Sequence, residues 1–448
     1  MSDRLTSLTA DLLAAAAKAG ADSADALAVD GTSVSIDVLN GRLEQAERSE
    51  GIDIGLRVLI GRRQACVSAS DIKPETIRAM AERAVAMARE APEDPYIGLA
   101  DPAELARGWD LAALDLVDPS EEPAPATLEE DARRAEAAAL AVDGISQVQS
   151  ASAAYGRRAI HLATSNGFSG GYGRTDRAIS CVAITGEGTK MERDYYGDMR
   201  IHGADLDSPE TIGRIAAERT LARAGARQPK TGAFPVIFDE RVAGSLVGHL
   251  VMAINGSAIA RGSSWLRDAL GAQVLPKGMS LIEDPHRPRT AGSRPFDGEG
   301  LPTRRRAVVE DGVLTGWTLD LASARQLGMQ STASASRSTD GPPRPSTGNL
   351  ELTQGAQSRE QLMAEMGTGL LVTSMIGSSI NPNTGDYSRG ASGLWIENGE
   401  PVYAVNECTL AGNLRDMLLT LTAANDARPH LSRAIPSLRV EGLTLAGN

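Results

Sequence analysis

Cysteine is scarce in this chain: Cys66, Cys181 and Cys408 are the only three, far apart and without a CxxC pair. That excludes a disulfide framework and a cysteine-rich zinc site, and it fits a reducing cytosol. Histidine is also sparse, at His161, His202, His249, His286 and His430. No two of these lie within helical reach of each other, so the HExxH pattern, which sets two imidazoles on one helical face, is absent. Aromatic residues make up 3% of the chain within a hydrophobic total of 42%, so the core must be built from Ala, Val, Leu and Ile. No apolar run reaches the ~18 residues that a membrane span needs. The first twenty residues carry Asp3 and Asp11 and read as an amphipathic helix rather than an export signal, which leads to the expectation of a cytoplasmic protein without membrane contact. Basic charge is outnumbered, with 45 Lys and Arg against 58 Asp and Glu and a net charge of −13. Nucleic acid is therefore not expected as a partner, because phosphate binding needs a basic footprint. Phosphate-binding glycine loops, a dinucleotide fingerprint and a GxSxG elbow are missing as well.

At 448 residues the chain is too long for one ordinary core. The expected fold class is α+β: N-terminal antiparallel sheets flanked by helices, then a curved or barrel-like antiparallel β domain with inserted helices. Residues 1–90 read as the first α+β domain. A helix over 4–18 ends at Gly20, and strands follow over 26–29, 33–39, 42–48, 52–60 and 64–69, joined by tight turns. A second helix opens at Lys73-Pro74-Glu75. Residues 91–126 are rich in Pro, Asp and Glu and read as a surface connector. A middle α+β domain spans 127–224, with Thr127 and Glu130 as a capping box for its first helix. The C-terminal β-rich domain runs over 232–448. It includes a helix over 239–254 with His249 near its inward stripe, and a long polar loop over 331–348.

The most informative stretch is Asn381–Gly399, NPNTGDYSRGASGLWIENG. Gly385, Gly390 and Gly393 allow positive φ or close backbone approach, and Asn398-Gly399 is the preferred pair for a type I′ hairpin turn. Asp386 and Arg389 are read as a surface ion pair. His249 is read as a satisfied core or interface histidine in preference to a metal ligand, and Cys408 as a buried structural thiol.

Several ordered blocks resemble the PmbA/TldE branch of the TldD/PmbA family. They are Val247-Gly248-His249, Arg261–Leu266, Ile282–His286, Pro295–Gly300, Thr303–Arg306, Thr384–Ala391 and Glu407–Leu414, with a weaker match at Gly51-Ile52 and Gly55-Leu56-Arg57-Val58. The resemblance covers essentially residue 20 to the C-terminus. It implies a cytosolic metalloprotease built from two related subunits that processes unfolded or leader-bearing peptides. The TldD-type subunit would hold zinc through an HExxxH helix and a late cysteine. The family has also carried a DNA-gyrase-modulator label, which the acidic composition does nothing to support.

Carried over through that resemblance, HExxxH corresponds to Gly244-Ser245-Leu246-Val247-Gly248-His249, where only the last histidine survives. Glycine offers no ligand atom, and a serine cannot replace the carboxylate base that activates a metal-bound water. The segment 425–436 holds no counterpart of the late cysteine. The resemblance therefore implies a chain with no catalytic residue, no metal ligand set and no cofactor of its own, with zinc in a TldD-type partner. Residues expected to contact substrate peptide or partner are Thr384, Gly385, Asp386, Tyr387, Ser388, Arg389, Gly390 and His249, with the two kinds of contact left open. The isolated chain is allowed to form a homodimer. The alternative reading is a non-catalytic peptide-binding or scaffold protein acting as that homodimer.

Overall fold

The computed structural model describes residues 2–447. A six-stranded antiparallel sheet organises the first half: β1 (Ser23–Leu39), β2 (Arg42–Ile60), β3 (Arg63–Ala69), β4 (Ile145–Thr164), β5 (Ser169–Thr185) and β6 (Glu192–Arg200). Their order is β3-β2-β1-β4-β5-β6, so the first and middle segments of the chain share one sheet through the β1–β4 pair. The short strands expected over 26–29 and 33–39 are one strand, as are those over 42–48 and 52–60. Gly31 and Gly51 face each other in that ladder and do not turn the chain. Neither adopts positive φ, and ladder pairing on both sides of them continues without a break.

Such long strands are kept extended by two helix pairs that share one sheet face. Ala24, Ala26 and Ala28 pack with α1 (Ser2–Ala19) and α2 (Pro74–Glu90). Further along the same strand, Val34, Ile36 and Val38 pack with α3 (Pro125–Leu140) and α4 (Pro209–Leu221). All six positions are even-numbered, and alternation puts them on the same side. Alanine and glycine let the helices approach closely: a β-carbon at Gly213 on α4 would stand 2.0 Å from the Ala135 carbonyl oxygen on α3. This close approach is how a core poor in aromatics is filled. Helix α3 begins at Pro125, with Thr127 inside its first turn and no side-chain cap, so the expected capping box does not form. Proline preset for helical φ at the first position takes over the start.

Leu27 and Val29 face the opposite side, where they meet Phe168, Phe296, Leu301 and Leu321. The segment 91–126 crosses here. Its Ala100 and Leu105 are buried with this group, and Trp109 packs against Phe296 with ring centroids 4.9 Å apart. Apolar residues scattered among the prolines and acids thus strap the connector onto the junction between the two halves.

The second half holds a closed five-stranded barrel: β7 (Gly232–Phe238), β8 (Gly369–Ile380), β9 (Asp386–Glu397), β10 (Glu400–Asn413) and β11 (Leu438–Ala446). The order is β10-β9-β8-β7-β11, and a β10–β11 pairing closes the ring. The pairing is antiparallel except between β7 and β8. Asn398 and Gly399, both at positive φ, make the tight β9–β10 turn. A smaller sheet joins strands 306–310, 281–283 and 350–352 with two short flanking ones. Helix α5 (Glu240–Ala253) packs its Leu246, Val247 and Leu250 into the same core as barrel residues Val236, Leu370, Val372 and Leu438.

The two halves are bolted together by buried charge. Asp25 on β1 bonds Arg57 on β2 and, at 3.0 Å, Arg337 from the long loop of the second half. The Arg337 side chain is 1% exposed. That loop presses on β2 at Gly55, where a β-carbon would lie 2.2 Å from the Thr339 carbonyl oxygen. The Pro295–Gly300 block belongs to this junction. Asp297 accepts from the backbone N–H groups of Glu299, Leu301 and Ala335, while burial and the neighbouring Asp297 raise the Glu299 carboxyl well above its usual range.

Candidate functional site

Helix α5, strands β8 and β9, and the segment 428–433 enclose a groove of about 470 Å³. Gly244 and Ser245 line its helix side, Met375 and Arg389 its strand side, and Arg428, Leu431 and Arg433 the remaining wall. The helix positions aligned with HExxxH and the segment searched for a late cysteine therefore do meet in space. At that meeting point stand a glycine, a serine and guanidinium groups.

Strand alternation sorts the expected site residues. Tyr387 is fully buried in the barrel core and Arg389 reaches the groove. Thr384 and Asp386 lie at the exposed start of β9. The Thr384 hydroxyl donates to the Asp386 carboxylate at 2.6 Å, and the Asn413 amide donates to the same carboxylate at 3.0 Å, holding the Asp386 pKa below its usual value. Gly385, at φ +83°, turns the chain against the Trp265 ring. Ser388 pairs with Ser379 across the ladder, and Gly390 makes room for Ile376, whose Cγ2 would lie 2.6 Å from an added β-carbon. The structure thus brings Tyr387, Arg389 and His249 together and leaves Thr384, Asp386 and Gly385 in a separate cluster.

Asp386 and Arg389 do not form the expected ion pair. Arg389 donates from Nε to the Gly377 carbonyl at 2.7 Å, while Asp386 is held by Thr384 and Asn413. Three residues apart on a strand, the two side chains leave opposite faces.

His249 is 9% exposed, and neither ring nitrogen has a hydrogen-bond partner among the described residues. The expectation of a satisfied histidine fails in that respect: it is a core histidine, but an unsatisfied one. Its ring meets Tyr387 edge-on, centroids 5.8 Å apart. Burial, helped by the Arg389 charge, lowers its pKa and keeps the ring neutral. The Tyr387 hydroxyl and the Ser245 hydroxyl both reach the Met375 sulfur, at 3.6 and 3.8 Å. Sulfur is a weak acceptor, so the Ser245 hydroxyl is only weakly held, while the Tyr387 hydroxyl is also bonded by Arg389. Burial raises the Tyr387 pKa. Cys408 is the structural thiol expected: buried, donating to the Ala391 carbonyl at 3.2 Å and pushed up to about 11 by desolvation.

These residues do not fit a catalytic zinc ion. Gly244 has no donor atom, Ser245 presents a hydroxyl to a sulfur, and His249 is one isolated imidazole. Among the described residues no three His, Cys, Asp or Glu side chains gather in a ligating arrangement. No described helix is long and apolar enough to cross a membrane.

Sequence reasoning passed over Met375, Arg428 and Arg433. They lie more than a hundred residues from helix α5, and no local pattern links them to it. The one signal was indirect: 425–436 is the segment where the family resemblance expects the late cysteine.

One sheet shared by the first and middle segments, leading into a closed barrel with a groove over one barrel-side helix, defines an α+β protein. Three consecutive family models match: PmbA/TldA metallopeptidase domain 1 over 24–88, the central domain over 118–224 and the C-terminal domain over 231–447. The chain is 37% identical over 430 residues to the metalloprotease PmbA of Escherichia coli O157:H7, covering 95% of this chain and 92% of that protein. It is 34% identical to the PmbA homolog of Haemophilus influenzae, over 97% and 94% of the two chains. The chain belongs to the PmbA/TldD metallopeptidase family. Among solved structures, a Bacteroides thetaiotaomicron protein with a DNA-gyrase-modulator label superimposes with a TM-score of 0.92 at 26% identity, covering 100% of this chain and 99% of that one. TldE of Thermococcus kodakarensis shares the fold, with a TM-score of 0.85 at 21% identity, over 98% and 100% of the two chains.

Proposed function

We propose that this chain is the non-metal subunit of a cytosolic two-subunit metallopeptidase, working on unfolded or leader-bearing peptides beside a TldD-type zinc subunit. One observation carries the reading: where the family resemblance expects imidazole and carboxylate, the groove wall presents Gly244 and the Ser245 hydroxyl. A general base must accept a proton at neutral pH, and neither residue does. His249, neutral and buried against Tyr387, cannot complete a ligand set alone. The hydrolytic centre then has to come from a second polypeptide. What this chain contributes is a wall of the peptide-binding space, with the groove and the β9 segment from Thr384 to Gly390 in contact with substrate or partner.

The test is to purify the chain alone and with a TldD-type partner, count metal on the separated subunits and assay an unstructured peptide. The expected result is no stoichiometric zinc and no cleavage by the isolated chain, and a complex with chelator-sensitive cleavage once the partner is added. Chelator-sensitive cleavage by the isolated chain overturns the proposal. Failure of the two chains to associate replaces it with a non-catalytic binding protein.

A further inference from the structure

The groove is basic although the chain is acidic. Four guanidiniums line it, those of Arg241, Arg389, Arg428 and Arg433, against a single carboxylate, Glu240. Two of the four are neutralised: Arg428 bonds Glu240 at 2.9 Å, and Arg241 reaches Asp239 and Asp194 at 3.2 Å. The other two are not. Arg389 bonds the Gly377 carbonyl by its Nε and the Tyr387 hydroxyl, and neither its side chain nor that of Arg433 has an acidic partner among the described residues. In a protein of net charge −13, two guanidiniums without a carboxylate partner therefore face one groove.

Space and donors are present at the same place. A β-carbon built on Gly244 would meet nothing within 4 Å, so the helix wall is open there. On Gly248, one turn along, the nearest atom to such a carbon would be an Arg433 guanidinium nitrogen at 3.3 Å, which puts that charge directly over the helix. The Ser245 hydroxyl is committed only to the Met375 sulfur at 3.8 Å and is free to turn toward a better acceptor. Behind them His249 is buried without a hydrogen-bond partner. A planar anion with two oxygens matches guanidinium donors in pairs, and such charge-assisted bonds are roughly twice as strong as neutral ones.

We propose that this groove is a carboxylate-binding site that anchors a peptide by its C-terminal carboxylate or by an Asp or Glu side chain, with Arg389 and Arg433 as the anion-binding residues and Ser245 as an auxiliary donor. That the carboxylate belongs to a peptide rests on the function proposed above; the affinity for a carboxylate does not. The protein's negative charge disfavours extended polyanions and leaves a single local anion as the fitting ligand.

The experiment uses the full chain and three N-terminally labelled ten-residue peptides of Gly, Ser and Ala, followed by fluorescence polarisation. One ends in a free carboxylate, one in an amide, and one in an amide with a single internal Glu. The free acid is expected to bind about tenfold or more tightly than the plain amide, as a gained charge-assisted pair implies. Arg389→Gln and Arg433→Gln should each reduce that preference to about twofold or less. The Glu-bearing amide separates the two sources: binding like the free acid means any carboxylate is read, and binding like the plain amide means the terminus is required. Equal affinity for free acid and plain amide overturns the proposal, as does a preference that survives both substitutions. Should Arg389→Gln not fold, Arg433→Gln decides alone, because its side chain is exposed and unpartnered. Cleavage restored by a TldD-type partner without any acid preference would sink this inference only. An acid preference without partner-dependent cleavage would sink the function proposed above only.

Discussion

The junction between the two halves and the groove beside helix α5 both bring arginines together with buried polar groups, yet only the junction gives both of its arginines a shared carboxylate. At the junction Asp25 lies between Arg57 and Arg337, and both arginine side chains are at most 5% exposed. Neighbouring guanidiniums hold the Asp25 carboxyl down against the burial that pushes it up. At the groove Arg389 and Arg433 have no acidic partner among the described residues, and neither His249 ring nitrogen has a hydrogen bond. Paired buried charge fixes how the halves sit and offers nothing to a ligand. Unpaired donors around open space are what a ligand can use, so the groove is where binding belongs.

The largest test of that contrast is Asp25→Ala, which leaves two buried guanidiniums without the carboxylate that both of them bond. Breaking a buried pair in this way costs about 3–5 kcal/mol. Urea unfolding should show the loss, and a loss under 1 kcal/mol would mean that water already reaches the junction. Next is Gly55→Ala, whose added carbon must displace the Thr339 carbonyl. Overpacking of this kind costs about 1–3 kcal/mol. Because the obstacle comes from the second half, limited proteolysis should find the long loop over 331–348 cut sooner in this variant. An unchanged cleavage rate would show that the loop does not rely on β2.

At the groove the sign reverses. His249→Phe removes an unsatisfied buried imidazole and keeps a flat ring against Tyr387, so stability at pH 7 should rise by about 1 kcal/mol. A comparable loss would instead reveal a polar partner for the imidazole. Folding lowers the His249 pKa from its ordinary 6.5, so the unfolded chain binds the proton more readily. Its contribution is therefore complete above pH 6.5 and is lost as pH falls from there through the lowered folded value. The variant should lose less stability than the parent between pH 7 and pH 5, as followed by thermal unfolding. His161 is lowered by burial too and keeps part of the slope in both proteins.

The same contrast explains what the sequence revealed. The barrel hairpin was legible because Asn398-Gly399 is a local instruction, as was the helix start at Lys73-Pro74, where proline takes the first helical position. The length of β1 was not legible. Gly31 reads as a turn signal, and only its partners Gly51 and Arg158 on both sides make it mid-strand. Tyr387, Arg389 and His249 were identified through family blocks, yet the strand's alternation, which separates them from Asp386, decided which of the candidates meet. Arg433 was invisible because its place beside Gly248 depends on a strand 433–434 that pairs with residues 350–351, a contact without local signature.

Arg433→Gln should have the smallest effect on stability. An exposed side chain without an acidic partner contributes no ion pair, and such surface substitutions usually fall within about 0.5 kcal/mol. Arg337→Gln is the matched control, since the same exchange there removes a charge that Asp25 and the neighbouring loop carbonyls hold in place. Thermal melts of the two variants side by side should separate them by several degrees, with Arg433→Gln close to the parent. If the two melted alike, Arg433 would have a structural partner, and the argument that its charge is kept for a ligand would fail with it.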